Sequence, residues 1–190
     1  MWLNNVRYAE DQAHQVGGNK SFFYPNAFRY REWVINAFNS DVPYNNFIRK
    51  QLAADLLQNT ENKDLPALGF IGLGHKYYDR NRLAVKAEEW AEQVDTLTRS
   101  LLGLTVACAQ CHDHKYDPLT QKDYYALAGV FASTDLVDRM ADGSEIKKDS
   151  EAAKKRIGTI HMVRDIKPKD PNVFLRGNTE NKGEIVPRRF

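Results

Sequence analysis

Apolar side chains recur at helical spacing through most of the first two thirds of the chain. The clearest run is Leu83, Ala87, Trp90, Val94, Leu97, Leu101 and Leu104, in steps of four and three residues. That is one face of a long amphipathic helix. One more step of four lands on Cys108, so the pattern predicts a stripe that points at that residue. Thr120 followed by Asp123 has capping-box spacing, and Tyr124, Leu127, Val130 and Phe131 line one face of the helix it would open. Earlier, Phe28, Arg31, Val34, Ile35 and Phe38 mark a helix with Pro25 in its first turn. Asp41 as an N-cap ahead of Pro43 predicts the next helix, carried by Phe47, Leu52 and Leu56 with Ile48 beside them. Residues 2–10 read as a short amphipathic helix before a loop at Gly17, Gly18 and Asn19, and residues 64–74 as a short helix and loop. Beyond Met140 the helical pattern fades. Residues 160–164 and 172–176 read as short strands between turns at Pro168, Pro171 and Gly177. The expected architecture is mainly α, with a helical domain over 1–139. A linker and the β-containing opening of a second, truncated domain follow over 140–190.

Composition narrows the class without naming a function. The 190 residues are 42% hydrophobic and 27% charged, the range of a globular chain long enough to bury a core without staples. No uncharged stretch is long enough to span a membrane. The net charge of +2 is too small to argue for nucleic acid or an anionic membrane. Charge is unevenly placed: residues 140–190 hold 12 basic and 8 acidic side chains, with Lys147, Lys148, Lys154, Lys155 and Arg156 crowded together. Such a shift marks a domain boundary more often than a binding patch, and limited proteolysis is expected to cut between about Arg139 and Ile157. The first residues lack the basic start and apolar core of a signal peptide, and the last ones follow a strand-like stretch with no closing element, so the chain reads as a fragment of something longer.

The chemistry concentrates in one place. The only two cysteines form Cys108-Ala109-Gln110-Cys111-His112, the spacing of c-type haem attachment. Two sulfurs three residues apart lie on one turn of helix, where each can bond one vinyl group of the same porphyrin. The histidine that follows can then ligate iron from one side. Three other readings of the same residues stand beside it: a Cys-x-x-Cys redox pair, a zinc site built from Cys108, Cys111, His112 and His114, and a structural disulfide. There is no P-loop, dinucleotide fingerprint or nucleophile elbow. Trp2, Trp33 and Trp90, with Tyr77, Tyr78, Tyr124 and Tyr125, read as core and pocket packing.

The motif and its surroundings resemble a known family. Cys108 to Pro118, with Asp113-His114-Lys115-Tyr116-Asp117 after the motif, and then Gln121-Lys122-Asp123-Tyr124-Tyr125-Ala126-Leu127, resemble the signature of the planctomycete-type cytochrome c domain. That domain is the second of the cytochrome modules of large exported planctomycete proteins. Trp2-Leu3-Asn4-Asn5-Val6-Arg7-Tyr8-Ala9 resembles its opening, with Asn4 where Asp is commoner. Tyr30 to Asn39 and Pro43 to Ala53 resemble its next two helices. The resemblance covers residues 2–135, and from Ile160 onward the chain is similar to the start of the unassigned domain that usually follows.

The resemblance implies haem c held by Cys108, Cys111 and His112, and export to the periplasm or cell surface, because the attachment is made outside the cytoplasm. It places His114 in a supporting or turn role with Asp117. For the opposite side of the iron, His14, His75, Met140, His161 and Met162 are the remaining candidates. His75, after the glycine-rich loop at 69–74, is the one carried forward as a metal ligand. The expected function is electron transfer to a redox partner protein or a neighbouring domain of the same chain, more an electron carrier than a catalyst. Two alternatives remain: a non-haem structural or binding module with a disulfide or zinc at the cysteines, and a redox enzyme with an open iron position.

Overall fold

The computed structural model describes residues 1–8, 24–58, 60–75, 79, 81–147, 150, 155 and 158–189. His14, the loop at 17–19, Tyr77, Tyr78 and most of the lysine-rich stretch at 148–157 lie outside them. The chain is mainly helical with two small two-stranded sheets. Its contacts divide it into two units, Met1–Lys76 with Leu136–Arg164, and Tyr77–Asp135 with Asp165–Phe190. Both are discontinuous in sequence. No described helix is long and apolar enough to cross a membrane.

The first unit holds α1 (Trp2–Asn5), α2 (Phe28–Asn39), α3 (Tyr44–Ala53), a 3-10 stretch at Asn62–Leu68 and α4 (Gly69–Gly72). β1 (Thr134–Met140) pairs with β2 (Thr159–Asp165), almost wholly within this unit. Three expectations for its helices are corrected. α2 buries Tyr30, Trp33, Val34 and Ala37, while Ile35 and Phe38 are exposed, so the inward face is turned by about one residue from the expected stripe. α3 buries only Phe47 and Gln51; Leu52 is exposed, and Leu56 is exposed beyond the helix end. Nor does Asp41 cap α3. It sits at a left-handed φ of 48°, and Pro43 takes the cap position without a side-chain bond.

A buried amide explains why α3 turns as it does. Gln51 is 1% exposed, and its Oε1 accepts from the Trp2 indole (2.9 Å) and the Tyr30 hydroxyl (2.7 Å). Trp33 stacks on Phe47 at 5.4 Å, and its indole donates to Asp64, whose other oxygen meets Lys50 at 2.8 Å. Four large rings, of Trp2, Tyr30, Trp33 and Phe47, meet here, and turning α3 toward them leaves its leucines outside. Losing a partner from such a buried network costs roughly 1–3 kcal/mol. Leu65, Leu68, Ile160 and Met162 form a second cluster, closed by Gly72, where a Cβ would lie 2.5 Å from the Met162 backbone.

The second unit contains α5 (Leu83–Leu102), a 3-10 turn at Val106–Gln110, α6 (Gln121–Ala132), β3 (Asn172–Phe174) and β4 (Lys182–Ile185). α5 packs against α6, and its Ala87, Val94 and Leu97 are buried. The capping box at the start of α6 forms as expected: Thr120 accepts from the Asp123 backbone, and Asp123 accepts from Thr120. α6 is buried nearly all round. β3 and β4 pair antiparallel, Asn172 opposite Ile185 and Phe174 opposite Lys182.

Candidate functional site

The expected continuation of the α5 stripe to Cys108 does not occur. Gly103, at φ 67°, ends the helix, and its N–H and that of Leu104 both reach the Thr98 carbonyl. Glycine accepts this left-handed conformation at little cost. The motif therefore sits on its own short turn, Val106–Gln110, opened by the Cys108 N–H to the Thr105 carbonyl at 2.9 Å.

The three-residue period of a 3-10 turn arranges the motif. Val106 and Ala109 point inward, 5% and 0% exposed, so Cys108 and Cys111, also three apart, are exposed together. Both thiols are free. Below them the Gln110 carbonyl is gripped twice, by the Gln121 amide at 2.9 Å and the Tyr125 hydroxyl at 3.2 Å. The same two groups reach the Phe174 carbonyl at 3.2 and 3.3 Å. Burial pushes the Tyr125 phenol up to about 12, so it remains a protonated donor at any physiological pH.

His112 is exposed, and its Nδ1 lies 2.7 Å from the Asp113 carbonyl. A carbonyl only accepts, so Nδ1 carries a proton, and in the neutral ring the lone pair is on Nε2. Asp113 is fixed in turn, because its carboxylate accepts the Gln121 N–H at 2.8 Å. The imidazole is thus set in one tautomer by a loop tied to the start of α6.

His114 faces the other way. Its Nε2 is 3.0 Å from the Thr105 hydroxyl, and its Nδ1 accepts from the backbone N–H groups of Asp117 (2.9 Å) and Tyr116 (3.2 Å). The Asp117 carboxylate is also 3.3 Å from Nδ1. The two backbone donors aim at Nδ1, so we read it as an acceptor and the ring as neutral. His114 is a turn-holding residue, as the resemblance implied. The four side chains weighed as zinc donors do not converge, and among the described residues no group of three or more His, Cys, Asp or Glu is arranged to hold a metal ion.

The other histidines and methionines divide clearly. His161 is buried between Asp138 (2.6 Å), the Asn26 N–H (3.3 Å) and the Tyr24 ring, and Met162 is in the core beside it. Met140 is half-buried. His75 is exposed and belongs to the first unit, whereas the motif belongs to the second.

The sequence reading missed Gln121, Phe174 and Gly177 as parts of the site and gave Tyr125 a packing role without its hydrogen bonds. A Cβ built on Gly177 would meet the Cys111 Sγ at 2.6 Å. No spacing signal could link residues so far apart; only the turn residues Arg176-Gly177 marked that a tight turn was there.

Among curated proteins and among solved structures, none matches the chain. A family model does match, over residues 1–136 of the 190: PSCyt2, described as a protein of unknown function (DUF1549). On that match the chain belongs to the PSCyt2 family, a planctomycete cytochrome-associated domain family.

Proposed function

We propose that this chain carries one covalently attached haem c and serves electron transfer within an exported, periplasmic or cell-surface protein. The observation that carries the reading is the His112 imidazole, locked by Nδ1 to the Asp113 carbonyl with its Nε2 lone pair free in the neutral ring, directly after two exposed thiols on one side of a turn. Metal-ligating histidines characteristically hold the other ring nitrogen in such a bond. The donor set fits the group: two free thiols for two vinyl positions and one imidazole for the iron.

Cys108 and Cys111 would each add across a vinyl C=C. One S–C bond forms, the thiol hydrogen goes to the neighbouring carbon, and no oxidant is consumed. When bound, the haem supplies a one-electron couple at its iron. His112 would hold the iron through Nε2, and the Asp113 carbonyl would keep the ring from turning. Gln121 and Tyr125 hold the turn beneath the thiols. A redox partner or a neighbouring domain would exchange the electron.

The test is the absorption spectrum of the reduced chain after expression with haem-maturation machinery in a periplasm. A sharp c-type band pattern, weakened in Cys108→Ala and in Cys111→Ala, supports the reading. A colourless wild-type chain overturns it.

A further inference from the structure

The unit that carries the motif does not end where the family match ends. Residues 165–190 lie beyond the match over 1–136, yet they form one compact unit with residues 77–135. Their point of contact with the motif is specific. After β3 the chain turns at Leu175–Gly177, where the Asn178 N–H closes on the Leu175 carbonyl at 3.1 Å. Both central residues are left-handed, Arg176 at φ 56° and Gly177 at φ 74°, the signature of a type I′ turn. The Leu175 N–H, bonded to the Asn181 carbonyl at 2.9 Å, braces it from behind.

Gly177 meets the Cys111 sulfur. Any Cβ there would stand 2.6 Å from Sγ, closer than atoms pack, so the absence of a side chain leaves the sulfur its place. The turn is itself held to the motif, because Gln121 and Tyr125 each span from the Gln110 carbonyl to the Phe174 carbonyl. Gln110 precedes Cys111, and Phe174 precedes the turn. Two side chains of α6 therefore fix the distance between the sulfur-bearing residue and the glycine packed on it. The structure gives Cys108 no such neighbour among the described glycines.

We propose that the Leu175–Gly177 turn is part of the attachment site and positions the Cys111 thiol, with Gly177, Gln121 and Tyr125 as positioning residues. This rests on the haem c reading above. It makes the two thioether positions unequal: Cys111 is set by a segment outside the family region, and Cys108 by the 3-10 turn. Disturbing the turn should then affect one sulfur and spare the other.

The experiment uses the full chain and two variants. Gly177→Ala puts a Cβ into the space of Sγ. Gln121→Glu leaves Gly177 intact but faces two carbonyl oxygens with a carboxylate, which undoes the tie. In the reduced, unmatured chain, iodoacetamide alkylation of each thiol is followed by peptide mass spectrometry. The Cys111 rate relative to Cys108 should change severalfold in both variants, while Cys108 keeps its wild-type rate. After maturation in a competent periplasm, wild type should offer no alkylatable thiol, and both variants should retain haem through Cys108 with Cys111 free. If Gly177→Ala fails to fold, Gln121→Glu carries the test alone. Wild-type reactivity ratios and two thioethers in the folded variants overturn the proposal. A wild-type chain that takes up no haem overturns the functional reading instead, and the alkylation ratios still judge the positioning of Cys111.

Discussion

Replacing His114 with alanine separates two roles that a histidine beside a Cys-x-x-Cys-His motif could have. Its ring is almost fully buried and makes three hydrogen bonds, to the Thr105 hydroxyl and the N–H groups of Tyr116 and Asp117. Tyr116 is exposed, so its N–H can turn to water at little cost. The Thr105 and Asp117 groups are half-buried and lose their partner more fully. At roughly 1 kcal/mol for each bond, with the exposed one discounted, His114→Ala should cost about 2–3 kcal/mol. In urea, with a slope of about 2 kcal/mol/M, the midpoint should fall by about 1 M at unchanged slope. The measurement is an equilibrium melt of the unmatured chain at fixed pH, followed by tryptophan fluorescence. His114→Asn keeps a short acceptor near Nδ1 and should recover part of the loss. A midpoint unchanged from wild type would show that the loop at 112–119 does not depend on this ring. A change in the spin state of matured protein without loss of stability would make His114 an iron ligand and refute the arrangement described.

Other outcomes follow from the same geometry. Thr120→Ala removes the capping box of α6 and should cost about 1 kcal/mol in the same melt. The Thr120 hydroxyl and then its backbone N–H, with Arg189, hold the Asp123 carboxyl below its ordinary range. Its stabilisation is therefore complete above the ordinary carboxylate pKa and fades as pH falls through the depressed folded value, so Asp123→Asn should destabilise at neutral pH and progressively less in acid. Limited proteolysis should cut first between about Arg139 and Ile157, where lysines crowd; loss of the helical part while that stretch stays intact would contradict the boundary.

What could be read in advance was whatever local spacing encodes. The α5 helix, the α6 capping box and the strands near 160 and 172 all depend on neighbours within a few residues, and they formed where expected. The α2 and α3 faces did not, because a buried Gln51 amide and a Trp33–Phe47 stack reward a rotation that only residues from three separate segments can specify. β1 was missed for a related reason: its side chains are all half-buried, so it lacks alternation, and its partner is β2. At the site, the chemistry-bearing residues were legible from the motif. Their mounting was not. Gly103, between the last two leucines of the stripe, was a visible stop signal, and it outweighed the apolar spacing that runs on to Cys108. The clasp by Gln121 and Tyr125 on Gln110 and Phe174 joins residues up to 64 positions apart and left no trace in spacing.

The central claim is covalent haem at Cys108 and Cys111, and peptide mass spectrometry of chain matured in a competent periplasm tests it most directly. The account predicts one haem-sized addition on the peptide that contains both cysteines, retained through acid–acetone extraction and accompanied by the loss of both free thiols. A peptide of unmodified mass with two alkylatable cysteines, from cells that mature a control c-type cytochrome, would contradict it.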